Sequence, residues 1–236
     1  MSLVVVAHGT RDPAGAIVAG QLVDAVRAQL AGVRVELAFA DVRGPTVVEV
    51  LADLPGPAVV LPAFLSSGYH VRVDLPAQLA GFADVRLAPA LGPATALVAA
   101  MHDRLLEAGW RPGDRVVLAA ASSSDSSALA DVRRTALRLS ARLDTEVHLG
   151  YCATAQPALP QAIAQVRTRG SRVAVASWLL APGLFHRAAQ RAGADLVAAP
   201  IGAHPLVVDL MVARYRAACA RPITSADRPQ ARRGAG

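Results

Sequence analysis

The chain has 236 residues, of which 53% are hydrophobic, 4% aromatic and 18% charged, and its mean hydropathy is +0.37. That composition supports a sizeable core and excludes general intrinsic disorder, while the length suits one large α/β domain or two smaller ones. Its 24 basic residues exceed 18 acidic ones for a net charge of +6, and every basic residue is arginine, which excludes P-loop, Schiff-base and Ser-x-x-Lys lysine chemistry together.

Guanidinium groups pair bidentately with carboxylates and phosphates. These arginines are scattered and form no aromatic-studded basic stripe, so an acidic small molecule is the expected partner and nucleic acid is not. Apolar runs such as Ala58 to Leu65 are too short to cross a bilayer. Met1-Ser2 leads straight into Leu3-Val4-Val5-Val6 with no positive flank and no cleavage site. The expectation is a soluble, cytoplasmic protein with no membrane partner. Cys152 and Cys219 stand far apart without CxxC spacing. They read as small buried hydrophobes rather than as a disulfide, zinc or iron–sulfur framework.

In chain order, strands are expected at about 3–7, 33–39, 57–63 and 84–88, then 115–120, 145–151, 172–177 and 195–199. Helices are expected at about 14–31, 45–53, 72–80 and 94–108, then 126–142, 157–168, 184–192 and 204–219. Continuous apolar runs such as Leu3 to Ala7 suit strands buried on both faces of a parallel sheet. In the first helix Ile17, Leu22, Val26 and Leu30 fall near one face, and Pro13 and Pro45 sit where a first helical turn tolerates proline.

Four segments recur in the second half of the chain in the same order. Val4–Asp12 matches Val117–Asp125, Leu37–Asp41 matches Leu149–Ala153, Val59–Leu65 matches Val173–Leu179, and Ala88–Gly92 answers Ala199–Gly202. The fold class is therefore α/β, as two homologous βαβαβαβα halves. Each is a four-stranded parallel sheet flanked by helices, with a cleft between the halves. The halves are expected at 1–110 and 111–220, with a boundary where Trp110-Arg111-Pro112 interrupts the pattern and a disordered tail at 221–236. Two homologous halves can form their own pseudo-dimer, so a monomer is expected.

The repeat supplies an internal control. After the first strand the first copy has His8-Gly9-Thr10-Arg11-Asp12, where the second has Ala121 in the histidine position. After the third strand His70 stands opposite Phe185, and after the second Asp41 stands opposite Ala153. If the strand order is 2-1-3-4, which the sequence leaves open, His8 and His70 converge on the crevice beyond the carboxyl ends of the strands, and Asp41 reaches it from the flank. Two imidazoles and a carboxylate with open positions suit a borderline divalent metal. Arg11, Arg43 and Arg72, with the amides of Ser66, Ser67 and Gly68, are candidates to grip substrate carboxylates. His102, His148, His186 and His204 read as surface or structural. Ser122–Asp125 lacks a G-x-S-x-G elbow and reads as a helix N-cap. No G-x-G-x-x-G follows the first strand, which disfavours a dinucleotide site.

The blocks Val6-Ala7-His8-Gly9-Thr10-Arg11-Asp12-Pro13 and Pro62–Pro76, with the degenerate Ala120-Ala121-Ser122-Ser123, resemble the sirohydrochlorin chelatase family of ATP-independent chelatases over about residues 3–220. The resemblance implies insertion of Fe²⁺ or Co²⁺ into sirohydrochlorin, a tetrapyrrole rimmed with carboxylates. The metal is then a substrate, and no permanently bound cofactor is expected. The family's two site histidines carry over to His8 and His70, and its frequent glutamate is matched best by Asp41, one methylene shorter. Iron is favoured over cobalt, since single-chain duplicated forms without a histidine-rich stretch look less like cobalt specialists. A cobaltochelatase for cobalamin synthesis and a non-catalytic tetrapyrrole or metal carrier are the alternatives.

Overall fold

A computed structural model describes residues 1–220. Strands β1 (Ser2–Ala7), β2 (Val35–Phe39), β3 (Ala58–Pro62) and β4 (Val85–Leu87) form one parallel sheet in the order β2-β1-β3-β4. Strands β5 (Arg115–Ala120), β6 (Val147–Tyr151), β7 (Val173–Trp178) and β8 (Leu196–Val197) form a second in the equivalent order β6-β5-β7-β8. The helices are α1 (Pro13–Gln29), α2 (Val47–Ala52), α3 (Leu75–Leu79), α4 (Thr95–Glu107), α5 (Ser126–Leu143), α6 (Leu159–Val166), α7 (Leu184–Gln190) and α8 (Pro205–Ala220). The duplicated α/β architecture read from the sequence is present, and the structure supplies the strand order that the sequence left open.

Each strand alternates two buried faces, because its side chains point to opposite sides of the sheet. Leu3, Val5, Val59 and Leu61 face a large core that also takes in Val116, Leu118, Ala174 and Ala176 of the second sheet. Val4, Val6 and Val60 face outward under α2 and α3, and Val117, Val173 and Val175 do the same in the second half. The central core is thus shared by both halves. The two halves also exchange helices across it: α4 of the first packs on β7, and α8 of the second packs on β3. Truncating a fully buried leucine here, such as Leu97 of α4, costs about 2–5 kcal/mol.

Local chemistry fixes where the helices begin. Asp12 caps α1 by accepting from the Ala14 amide at 3.0 Å, with Pro13 at the first helical position. Asp125 caps α5 in the same way through Ser127 at 2.8 Å. Thr46 and Glu49 close a capping box on α2, so Pro45 lies before the helix rather than in its first turn. Ile17 is also corrected: it is 60% exposed, because the buried stripe of α1 runs through Ala19, Leu22, Val23 and Val26 on the opposite side. Both cysteines are free and half-buried rather than fully buried. The third helix starts earlier than expected, in a wide π turn over His70–Asp74. Among the described residues no helix is long and apolar enough to cross a membrane. The tail expected from Arg221 lies outside the described residues.

Candidate active site

β1 and β3 are hydrogen-bonded neighbours, and the chain leaves each of them at the same edge of the sheet. His8 follows β1 directly. The turn after it requires Gly9, whose φ is +96° and whose added Cβ would meet the Asp41 carbonyl oxygen at 2.0 Å. The Asp41 amide in turn donates to the His8 carbonyl at 3.1 Å, which fastens this turn to the chain leaving β2. His70 opens the π turn after β3, an irregularity found often at functional sites. The two imidazole centroids lie 4.9 Å apart with ring planes tilted by 52°. Phe64 flanks both, at 5.8 Å from His8 and 6.4 Å from His70.

Both histidines line a cavity of about 800 Å³ between the halves, within the usual range for a small-molecule site. Its walls are mostly apolar, with Phe39, Phe64 and Leu37 on one side and Leu129, Tyr151 and Trp178 on the other. Among the described residues no arginine, aspartate or glutamate lines it. The second half contributes a shelf of hydroxyls: Ser122 to Ser124 and Thr154 line the cavity, and Ser122 Oγ lies 3.2 Å from Thr154 Oγ1. The N-cap expected within Ser122–Asp125 is its last residue, Asp125, whose own amide donates to Ser123 Oγ at 3.0 Å.

His70 carries a partner that the sequence reading did not use. Its Nδ1 lies 3.0 Å from Asp74 Oδ2, one turn along the chain. A carboxylate at Nδ1 favours the tautomer with the proton there, which leaves the Nε2 lone pair free for a ligand or a proton. The signal was available as a His-x-x-x-Asp spacing inside the Pro62–Pro76 block.

The remaining expected site residues are distributed as follows. Ser66 and Gly68 line the cavity. The Ser67 amide is instead engaged by the Asp131 carboxylate at 3.0 Å. Asp41 is exposed, and its carboxylate accepts from the Val42 amide at 2.7 Å. Among the described residues no group of three or more His, Cys, Asp or Glu side chains is arranged to hold a metal, so Asp41 does not join the two histidines in a ready-made set. Arg11 is exposed. Arg43 stands 5.3 Å over the Phe39 ring and donates to the Thr10 carbonyl at 3.4 Å. Arg72 reaches across to the second half and pairs with Asp125.

His186, read as structural, also borders the cavity, but its Nε2 is buried and has no hydrogen-bond partner among the described residues. Burial holds its pKa below the ordinary imidazole value, so it is neutral near pH 7.

The CbiX family model matches the chain twice, over residues 2–108 and 115–218. The chain belongs to the CbiX family. Solved structures of similar fold include "SirB from Bacillus subtilis with Fe3+", at 21% identity and TM-score 0.79 over 93% of this chain and 95% of that one. The sirohydrochlorin chelatase SirB from Bacillus subtilis subspecies spizizenii in complex with cobalt is similar at 21% identity and TM-score 0.73, over 91% and 93%. A CbiX described as the terminal enzyme for biosynthesis of siroheme in denitrifying bacteria shares 24% identity at TM-score 0.72, over 92% and 99%. No curated protein sequence matches the chain. In this CbiX-family protein the family resemblance read from the His8 and His70 blocks is confirmed.

Proposed function

We propose that this CbiX-family protein is a cytoplasmic, monomeric sirohydrochlorin chelatase that inserts a divalent metal, Fe²⁺ in preference to Co²⁺. The carrying observation is the His8–His70 pair, 4.9 Å apart on the wall of an apolar cleft. Residues 1–110 form the site-bearing half and 111–220 its degenerate repeat.

Metal insertion exchanges one M²⁺ for two pyrrole N–H protons, which leave to solvent. The ring nitrogens must outcompete the protein for the metal, so the protein has to hold it through few ligands with positions left open. Two imidazoles without a closed cage meet that requirement. His70, with Asp74 on Nδ1, presents Nε2 as metal ligand, and one of the two histidines also takes up a departing proton. Asp41 adds negative charge at the flank; direct ligation would require its carboxylate to leave the Val42 amide.

The apolar walls suit the faces of a macrocycle. With no arginine among the described residues lining the cavity, the ring's carboxylates are best placed towards the rim, where Arg11 and Arg43 are exposed. Ser66, Gly68 and the hydroxyl shelf supply neutral polar contacts inside. Ser67 and Arg72 serve the substrate indirectly, through their contacts with the second half.

The test is anaerobic metallation of sirohydrochlorin followed by absorbance, with Fe²⁺ and Co²⁺ compared in wild type, His8→Ala and His70→Ala. Faster insertion by wild type, abolished in either folded variant, supports the reading, and the ratio of rates gives the metal preference. Ring binding without acceleration would make the protein a carrier instead.

A further inference from the structure

The two halves meet beside the cavity through a matched pair of ion pairs. Asp12, the cap of α1, pairs with Arg187 of α7, while Asp125, the cap of α5, pairs with Arg72. Within the repeat Asp12 corresponds to Asp125 and Arg72 to Arg187, so this is one contact formed twice about a pseudo-two-fold axis.

Another of the contacts between the halves, at the loop that enters His70, has no such mate. Asp131 on α5 is 3% exposed. One of its carboxylate oxygens accepts the backbone N–H of Ser67 at 3.0 Å, and the other takes the Arg134 guanidinium. By the same correspondence Asp131 faces Val18 of α1, and Ser67 faces Pro182. Valine has no carboxylate and proline has no N–H. The tie therefore forms on one side of the molecule only. That side is the loop leading into His70, whereas the loop leading into Phe185 goes without.

A carboxylate placed where the repeat tolerates a half-buried valine carries a desolvation cost that only specific partners offset. The partner that spans the halves is the Ser67 amide, in a segment that has left β3 and has no sheet ladder to hold it. A charge-assisted hydrogen bond is roughly twice as strong as a neutral one.

We infer that Asp131 is a positioning residue: the half without the histidines holds the Ser66–Gly68 loop of the other half, so that His70 stays opposed to His8. This rests on the reading of His8 and His70 as the metal-handling pair. It also gives the degenerate repeat a role beyond walling the cleft.

The test is Co²⁺ titration of the full chain without tetrapyrrole, read by the visible d–d band and by dissociation constant, alongside thermal unfolding. Wild type binds Co²⁺ and His70→Ala does not. Asp131→Val, which installs the residue of the other half, weakens Co²⁺ binding about tenfold and changes the band, in the range seen when groups that orient metal ligands are removed. Asp131→Asn keeps a neutral acceptor for Ser67 and falls between. Ser67→Pro reproduces the loss, and combining it with Asp131→Val adds nothing. Arg134→Met, which removes the other partner of Asp131 but leaves the Ser67 contact, retains wild-type binding.

Wild-type affinity and spectrum in folded Asp131→Val overturn the inference. If that variant does not fold, the same result in Asp131→Asn and Ser67→Pro overturns it. An equal loss in Arg134→Met also overturns it, because the effect would then belong to α5 as a whole. If wild type and His70→Ala bind Co²⁺ alike, the histidine pair itself is misassigned, and this inference falls with it.

Discussion

Asp74 Oδ2 lies 3.0 Å from His70 Nδ1, within the same π turn that opens on the histidine. The contact orients the ring and selects its tautomer. Asp74→Asn can present an amide N–H to Nδ1, which moves the ring proton to Nε2 and blocks the lone pair needed for metal. The expected result is a fall in metallation rate of about 10–100-fold, with the circular dichroism spectrum unchanged. A wild-type rate in this variant would show that the ring is held by other means.

Gly9 is the second test of the site's geometry. With φ at +96° and the Asp41 carbonyl oxygen 2.0 Å from a would-be Cβ, Gly9→Ala must both adopt a left-handed backbone and push the β2 exit away. Urea unfolding should show a loss of about 1–3 kcal/mol. The metallation rate should fall further than stability alone explains, because His8 is the preceding residue.

The matched ion pairs predict a response to acid. The Arg187 hydrogen bond, then the Ala14 amide, holds the Asp12 carboxyl below the usual range, and Arg72, then Ser127, does the same for Asp125. Carboxyls with lowered folded pKa values stabilise the fold above the unfolded value, about 3.9, and lose that contribution as pH falls through the folded values. Thermal midpoints measured from pH 6 to pH 2.5 should therefore drop below about pH 4. The drop should be shallower in an Arg72→Met, Arg187→Met double variant. Equal slopes would assign the acid sensitivity to other carboxylates, such as Asp195 beside Arg167 and the Val173 amide.

Because α4 packs on β7 and α8 packs on β3, neither half closes its own core. A fragment ending at Gly113 should be a dimer or an aggregate by size-exclusion chromatography. In a dimer, α4 of one copy would take the place of α8 on the other. A folded monomeric fragment would contradict the shared core.

Much of the fold was legible because duplication wrote each signal twice. Buried strands such as Leu3–Ala7 and Val116–Ala120 are unbroken apolar runs, whereas their order in each sheet came only from the structure. His8 and His70 were legible as the points where one copy departs from the other. What the sequence could not carry was side-chain direction. Arg72 looked available to a substrate, but the pairing that turns it away is to Asp125, far along the chain. Asp41 sits at the right strand end, yet its carboxylate folds onto the next amide. Asp131 lies in an ordinary amphipathic helix, and only the packing of α5 against the other half brings it to Ser67. Ile17 went astray for a simpler reason, since a helix rich in alanine and valine offers more than one plausible apolar stripe.

The exchanged helices also set a schedule for synthesis. The inner face of β3 is covered by α8, and Tyr215 on that helix donates to the Met1 carbonyl at 2.5 Å. The first sheet to leave the ribosome must therefore wait for the last described helix before its apolar face is covered. At roughly 5–20 residues per second, that interval is on the order of ten seconds. Throughout it, the nascent chain presents a leucine- and valine-lined surface to whatever chaperones the cell supplies.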